Sequence, residues 1–138
     1  MNEQLVSFEV AKLAKEVGFN WKCNFYDEYI TVYEVQNVKY NRKKFGIYED
    51  WNHKKYGKAF TSLPTQSLLQ KWLRDIHGIA VHISTDITLS WIYTIQSLHP
   101  QATYTGLTIH SEQVFSTYEE SLEKGLYRAL KLINRKPN

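Results

Sequence analysis

Apolar residues along the chain fall into two rhythms, one of a helix and one of a half-buried strand. Val10, Leu13, Ala14 and Val17 stand at i, i+3, i+4 and i+7. Ser7 precedes them as an N-cap and Gly18 follows as a left-handed terminator, which predicts a first helix. The same spacing returns in Leu69, Trp72, Leu73 and Ile76, opened by Pro64-Thr65 and closed by Gly78, with Arg74 and His77 at the negative end of the dipole. A third stripe, Leu122, Leu126, Ala129 and Ile133, runs to about Asn134. It follows Ser116-Thr117-Tyr118-Glu119, a capping-box pattern, with Glu119 and Glu120 at the positive end and Lys131 and Arg135 at the negative end. Gly125 lies beside this stripe. An interior glycine costs a helix about 0.8–1 kcal/mol relative to alanine, so its presence points to close packing of helix on sheet.

The period of two appears in Phe19, Trp21, Cys23 and Phe25, which alternate with Asn20, Lys22, Asn24 and Tyr26. Asp27-Glu28 interrupts it before a β-rich run from Tyr29 to Val35, predicting an antiparallel hairpin. From Asn37 to about Phe60 the periodicity fades, Gly46 and Gly57 mark breaks, and the expectation is a long loop with a short strand around Phe45 to Tyr48. After the second helix, Ile79, Val81 and Ile83 form one strand face. Ile87, Leu89, Trp91, Tyr93 and Ile95 alternate along a second strand, with Thr85-Asp86 between the two. Thr103 to Ile109 carries enough β-branched residues for a further strand, in which Gly106 marks a bulge or a weakness.

The fold class that follows is α+β: a mostly antiparallel sheet of four to five strands with three helices packed on one face, in the order α-β-β-loop-α-β-β-(β)-α. At 138 residues, of which 43% are hydrophobic and 22% charged, the chain suits one domain spanning 1–138 with a core that needs no staple. Its one cysteine, Cys23, excludes an intramolecular disulfide and falls on an apolar strand face as a small buried hydrophobe. The N-terminus lacks the basic and apolar regions of a signal peptide, and no apolar run reaches the ~18 residues of a membrane span. The expected location is the cytoplasm, with no membrane partner.

Charge changes the picture in one region. The chain carries +3, yet Lys39, Arg42, Lys43, Lys44, Lys54, Lys55 and Lys58 face only Glu49 and Asp50 between positions 39 and 60, a local +5. Tyr40, Phe45, Tyr48, Trp51, Tyr56 and Phe60 are interleaved with them. Such a segment can pair phosphates and stack bases; it can equally be a loop whose aromatics pack on the sheet while its lysines stay hydrated. A third role is a protein interface, where Tyr, Trp and Arg are common anchors. The candidate partner-binding residues are Lys39, Arg42, Lys43, Lys44, Tyr48, Trp51, Lys54, Lys55, Tyr56 and Lys58.

Chemistry is not marked elsewhere. His53, His77, His82, His99 and His110 stand at no metal-ligand spacing, and His82 alternates onto the face opposite Ile79, Val81 and Ile83. No phosphate loop, dinucleotide turn, nucleophile elbow or HExxH helix occurs, and the six glycines are scattered singly. No metal, cofactor or catalytic residue is expected.

The run Pro64-Thr65-Gln66-Ser67-Leu68-Leu69-Gln70-Lys71-Trp72-Leu73-Arg74-Asp75-Ile76-His77 and the stretch Tyr118-Glu119-Glu120-Ser121-Leu122-Glu123-Lys124-Gly125-Leu126 resemble a family of small proteins encoded in phages, prophages and other mobile elements of Bacteroides-like bacteria. The opening Met1 to Glu9 is compatible with it. The resemblance implies a setting, a mobile-element protein in a bacterial cytoplasm, and supplies no activity or site residues. The expected function is a non-enzymatic accessory protein that binds a host or phage protein. A weak nucleic-acid binder using segment 39–60 is the alternative, and an enzyme whose site leaves no local motif comes third. Oligomeric state is not legible.

Overall fold

A computed structural model describes residues 3–32, 38–98 and 108–134. The fold is α+β, with three helices and two antiparallel three-stranded sheets. The single sheet of four to five strands expected above is therefore divided, and so is the chain: Val6–Pro64 forms one compact unit, and Met1–Leu5 with Thr65–Asn138 forms another.

In the Val6–Pro64 unit, helix α1 (Phe8–Glu16) starts where the Ser7 hydroxyl accepts from the Val10 amide at 3.3 Å, and Gly18 past its end takes φ +95°. Its apolar stripe, Val10, Ala11, Leu13 and Ala14, is buried. The sheet has the order β2-β1-β3, built from β1 (Cys23–Val32), β2 (Val38–Glu49) and β3 (Phe60–Ser62). Lys15 ties α1 to β3 by donating to the Phe60 carbonyl at 2.6 Å. Two expectations change here. The supposed hairpin turn at Asp27-Glu28 lies inside β1, where the register with β2 sets Asp27 opposite Lys43 and Glu28 opposite Arg42. The stretch read as a long loop is for its first half a 12-residue strand, whose dense charge hides its alternation.

The other unit carries α2 (Gln66–His77), β4 (Ile79–Thr85), β5 (Trp91–Ser97), β6 (Thr108–His110) and α3 (Tyr118–Ile133), with sheet order β4-β5-β6. Most of the strand expected at 103–109 lies outside the described residues. The Thr65 hydroxyl caps α2 and Gly78 closes it in the left-handed region at φ 65°. Thr117 is the N-cap of α3, one residue later than the start of the pattern read from the sequence. Leu69, Trp72 and Leu73 of α2, with Leu122, Leu126, Ala129 and Leu130 of α3, are buried, whereas Ile76 is exposed. Both helices contact β4, and α3 also lies on β5. Gly125 makes that approach possible: a Cβ there would sit 2.8 Å from Val81 Cγ1 and 3.1 Å from Tyr93 Cβ.

His77, at the end of α2, packs edge-on against Trp72 with ring centroids 4.7 Å apart. Its burial lowers the imidazole pKa, outweighing the pull of the helix C-terminus that would raise it. The unfolded chain, titrating at about 6.5, then binds a proton that the folded chain refuses, so stability rises with pH through this window. Thermal unfolding should show a midpoint that declines as pH is lowered from about 7 toward 5. His77→Gln should flatten that decline, and an equal slope in the variant would remove His77 as its source.

Candidate functional site

The basic segment begins on β2, an edge strand. Its inner edge pairs with β1, and Lys44 Nζ forms an ion pair with Glu28 across that ladder. Among the described residues the outer edge of β2 has no strand partner. The side chains of Lys39 and Arg42 lie outside those described; their backbones pair with Thr31 and Glu28.

The register of the β1–β2 ladder slips within β2. Cys23 is opposite Glu49 and Phe25 opposite Phe45, so Asn24 alone faces Gly46, Ile47 and Tyr48. The result is a bulge on the edge strand, held where Asn24 Nδ2 donates to the Gly46 carbonyl at 3.3 Å. The bulge passes over Trp51 so closely that a Cβ on Gly46 would lie 2.7 Å from the indole Cζ2 and 3.0 Å from a Tyr26 ring carbon, which demands glycine there. Phe45, Ile47 and Tyr48 are displayed outward and are 71%, 68% and 60% exposed. Phe45 meets Phe25 edge-on at 5.1 Å, and Lys43 Nζ stands 5.8 Å from the Phe25 centroid.

Past β2 the chain turns inward. Trp51 is 7% exposed; its Nε1 donates to the Cys23 carbonyl at 3.0 Å and its ring stacks on Tyr26 at 4.2 Å. Tyr56 leans on Trp51 at 4.8 Å, and Phe60 closes the cluster 5.3 Å from Tyr26. Asn52 fixes the segment from both ends of its amide, donating to the Phe19 carbonyl at 2.9 Å and accepting from the Ser62 amide at 2.8 Å. A 3-10 turn, Lys54–Tyr56, is capped by His53 Nδ1 and released at Gly57 with φ 78°. Lys54, Lys55 and Lys58 are exposed on it, Lys55 lying 3.9 Å from Glu49 and 5.1 Å from the Tyr56 centroid.

The ten residues singled out from the sequence thus divide. Lys43, Lys44 and Tyr48 gather on the bulged edge, and Lys39 and Arg42 lie on the same strand with their side chains outside those described; Lys54, Lys55 and Lys58 decorate the turn; Trp51 is buried in the aromatic cluster and the half-buried Tyr56 leans on it. Ile47 falls inside the short strand expected around Phe45 to Tyr48 but carries neither the charge nor the ring by which the candidate residues were chosen.

A second apolar display was also missed. Ile87 and Leu89, expected within a strand, sit in the β4–β5 turn and are 100% and 81% exposed. Asp86 organises this turn: its carboxylate accepts from the Thr88 and Ser90 amides at 2.9 and 3.1 Å and from the Thr88 hydroxyl at 2.6 Å. Those bonds, the Thr88 one foremost, depress its pKa and hold Leu89 at φ 64°, a conformation that costs a branched residue roughly 1–2 kcal/mol.

Among the described residues no three His, Cys, Asp or Glu side chains converge as metal ligands, and no helix is long and apolar enough to cross a membrane. In a cleft of about 400 Å³ between the N-terminal residues, α2 and α3, Ser67 and Gln66 are already engaged with protein partners. Ser67 Oγ donates to Glu3, and Gln66 Nε2 donates to the Glu119 carbonyl and to Glu123. Set against known proteins, the chain matches no family model, no curated protein and no solved structure.

Proposed function

We propose that the chain is a non-enzymatic binding module whose partner is a protein, working as an accessory protein of a phage or mobile element in a bacterial cytoplasm. The observation that carries this reading is the bulged edge of β2, where Phe45, Ile47 and Tyr48 stand exposed beside Lys43 and Lys44 on a strand whose outer side has no strand partner among the described residues. Lysines alone on an edge strand blunt it against pairing. Three large apolar residues in the same turn of strand do the reverse, and clustered apolar exposure marks interaction surfaces. The partner is an extended segment that adds to the sheet, with backbone hydrogen bonds supplying affinity and side chains supplying choice. Its composition is written on the side of β2 already filled, where β1 sets Asp27 and Glu28 against Lys43 and Arg42. An acidic strand with intervening apolar residues repeats that match on the outer edge.

The nucleic-acid reading draws on the lysines of the whole segment with Tyr48, Trp51 and Tyr56; Tyr48 is exposed beside Lys43 and Lys44, whereas Trp51 and Tyr56, nearest the exposed Lys54, Lys55 and Lys58, are engaged with each other in the aromatic cluster. One titration compares the two. An alternating Glu/Val peptide and a short oligothymidylate are each titrated against the full chain at about 50 and about 200 mM salt. The peptide should bind at both, and Ile47→Asp should weaken it by about tenfold or more without moving the unfolding midpoint. Tighter binding of the oligonucleotide, lost with salt and with charge reversal at Lys54, Lys55 and Lys58, would replace this proposal with the nucleic-acid one.

A further inference from the structure

One face of α3 carries three cations that form no ion pair among the described residues. Lys124, Arg128 and Lys131 recur at i, i+4 and i+7 and so share one helix face. They line a cleft of about 320 Å³, the low end of the size range of small-ligand sites. Glu112 is the one acidic residue of the lining, and among the described residues no carboxylate lies within ion-pair distance of any of the three cations. The macrodipole accounts for a lysine in the last turn, Lys131; it does not account for Lys124 and Arg128, which stand in the middle turns.

The cleft is also shaped. Tyr93 and Phe115, both buried, stack with centroids 6.1 Å apart. Phe115 is pinned by a two-way backbone bridge to Trp91, 2.8 and 2.9 Å. Tyr127 forms a further wall, with Lys131 Nζ 5.6 Å from its ring. Arg128 is held from beneath: Nη1 donates to the Tyr93 hydroxyl at 3.1 Å and reaches the His110 carbonyl at 3.5 Å. That leaves Nη2 and Nε as donors in a fixed fork. The Tyr93 hydroxyl, having accepted from Arg128, keeps its own proton to give.

We infer that this cleft is a binding site for a small molecule that joins a phosphate group to a flat ring. The oxyanion lies among Arg128, Lys124 and Lys131, where bidentate, charge-assisted hydrogen bonds are strongest, and the ring lies against the half-buried Tyr127. The surplus of two positive charges in the lining suits a dianion better than a carboxylate. The site belongs to the Thr65–Asn138 unit and is independent of the β2 edge.

Phenyl phosphate titrated into the full chain, with side-chain NMR as the readout, tests it. The expected result is saturable shifts at the Arg128 Nε and at the Tyr93 and Tyr127 rings. Phenol, inorganic phosphate and benzoate should each bind about tenfold or more weakly. Arg128→Gln should lose about tenfold in affinity, and Lys124→Gln, an exposed change harmless to folding, should lose several-fold. Absence of shifts at these residues, or unchanged affinity in both variants, would overturn the site. Benzoate binding as tightly as phenyl phosphate would overturn the phosphate assignment, and inorganic phosphate doing so would overturn the ring.

Discussion

Replacing Trp51 by alanine should destabilise the Val6–Pro64 unit by about 3–5 kcal/mol, the range for removing a large buried aromatic. Three losses coincide. The stack on Tyr26 goes, along with the contact to Tyr56. The Cys23 carbonyl loses the indole donor, and an orphaned buried acceptor carries its own penalty. The bulge at Gly46 loses the surface it is moulded on. Tyr48→Ala, only three residues earlier, should stay within about 0.5 kcal/mol because its side chain is in solvent. Chemical denaturation followed at the amides of β1 and β2 reads both. If Trp51→Ala were as mild as Tyr48→Ala, the indole would be a free surface group and the aromatic cluster would be wrong.

Gly125→Val should cost about 3 kcal/mol, the upper part of the range for overpacking. Helix propensity works the other way, since valine is a better helix former than glycine by a few tenths of a kcal/mol, so the sign of the result is informative. The steric term dominates because the new Cβ would lie 2.8 Å from Val81 Cγ1 and would carry two further carbons toward Tyr93. Val81→Ala, harmful alone, should recover part of the loss in the double variant, since touching residues couple. A stabilised Gly125→Val, or strict additivity with Val81→Ala, would show that α3 does not lie on β4 and β5 as described.

The helices were legible because their ends are chemically marked. Ser7, Thr65 and Gly78 cap where the spacing predicts, and the glycine inside α3 announced the close approach of helix to sheet. The sheets were less so. Asp27-Glu28 reads as a break only while its partners are unknown; the bases that match it are about 15 residues on, and strand pairing is a non-local fact. Alternation through Ile87 and Leu89 ran on past the true end of the strand because the turn there uses a left-handed leucine in place of the glycine or asparagine that would have flagged it. The division into two sheets has no local signature at all.

The basic segment shows the same limit at the level of function. Composition placed aromatics among lysines and left open whether the rings face out or in. Gly46 and Asn52 decide it, the first by letting β2 close over Trp51 and the second by tying the chain to Phe19 and Ser62. Asn52 carries neither charge nor ring, and Gly46 reads from the sequence only as a break. What remains outward is the bulge, where Ile47, the least conspicuous residue of the segment, stands exposed between Phe45 and Tyr48.

Hydrogen exchange along β2, with and without the alternating Glu/Val peptide, addresses the proposed docking edge most directly. Protection should rise at the amides from Lys43 to Tyr48 while those of Lys54 to Lys58 exchange as before. Unchanged exchange along β2 at a saturating dose, or protection confined to the lysine-bearing turn, would contradict it.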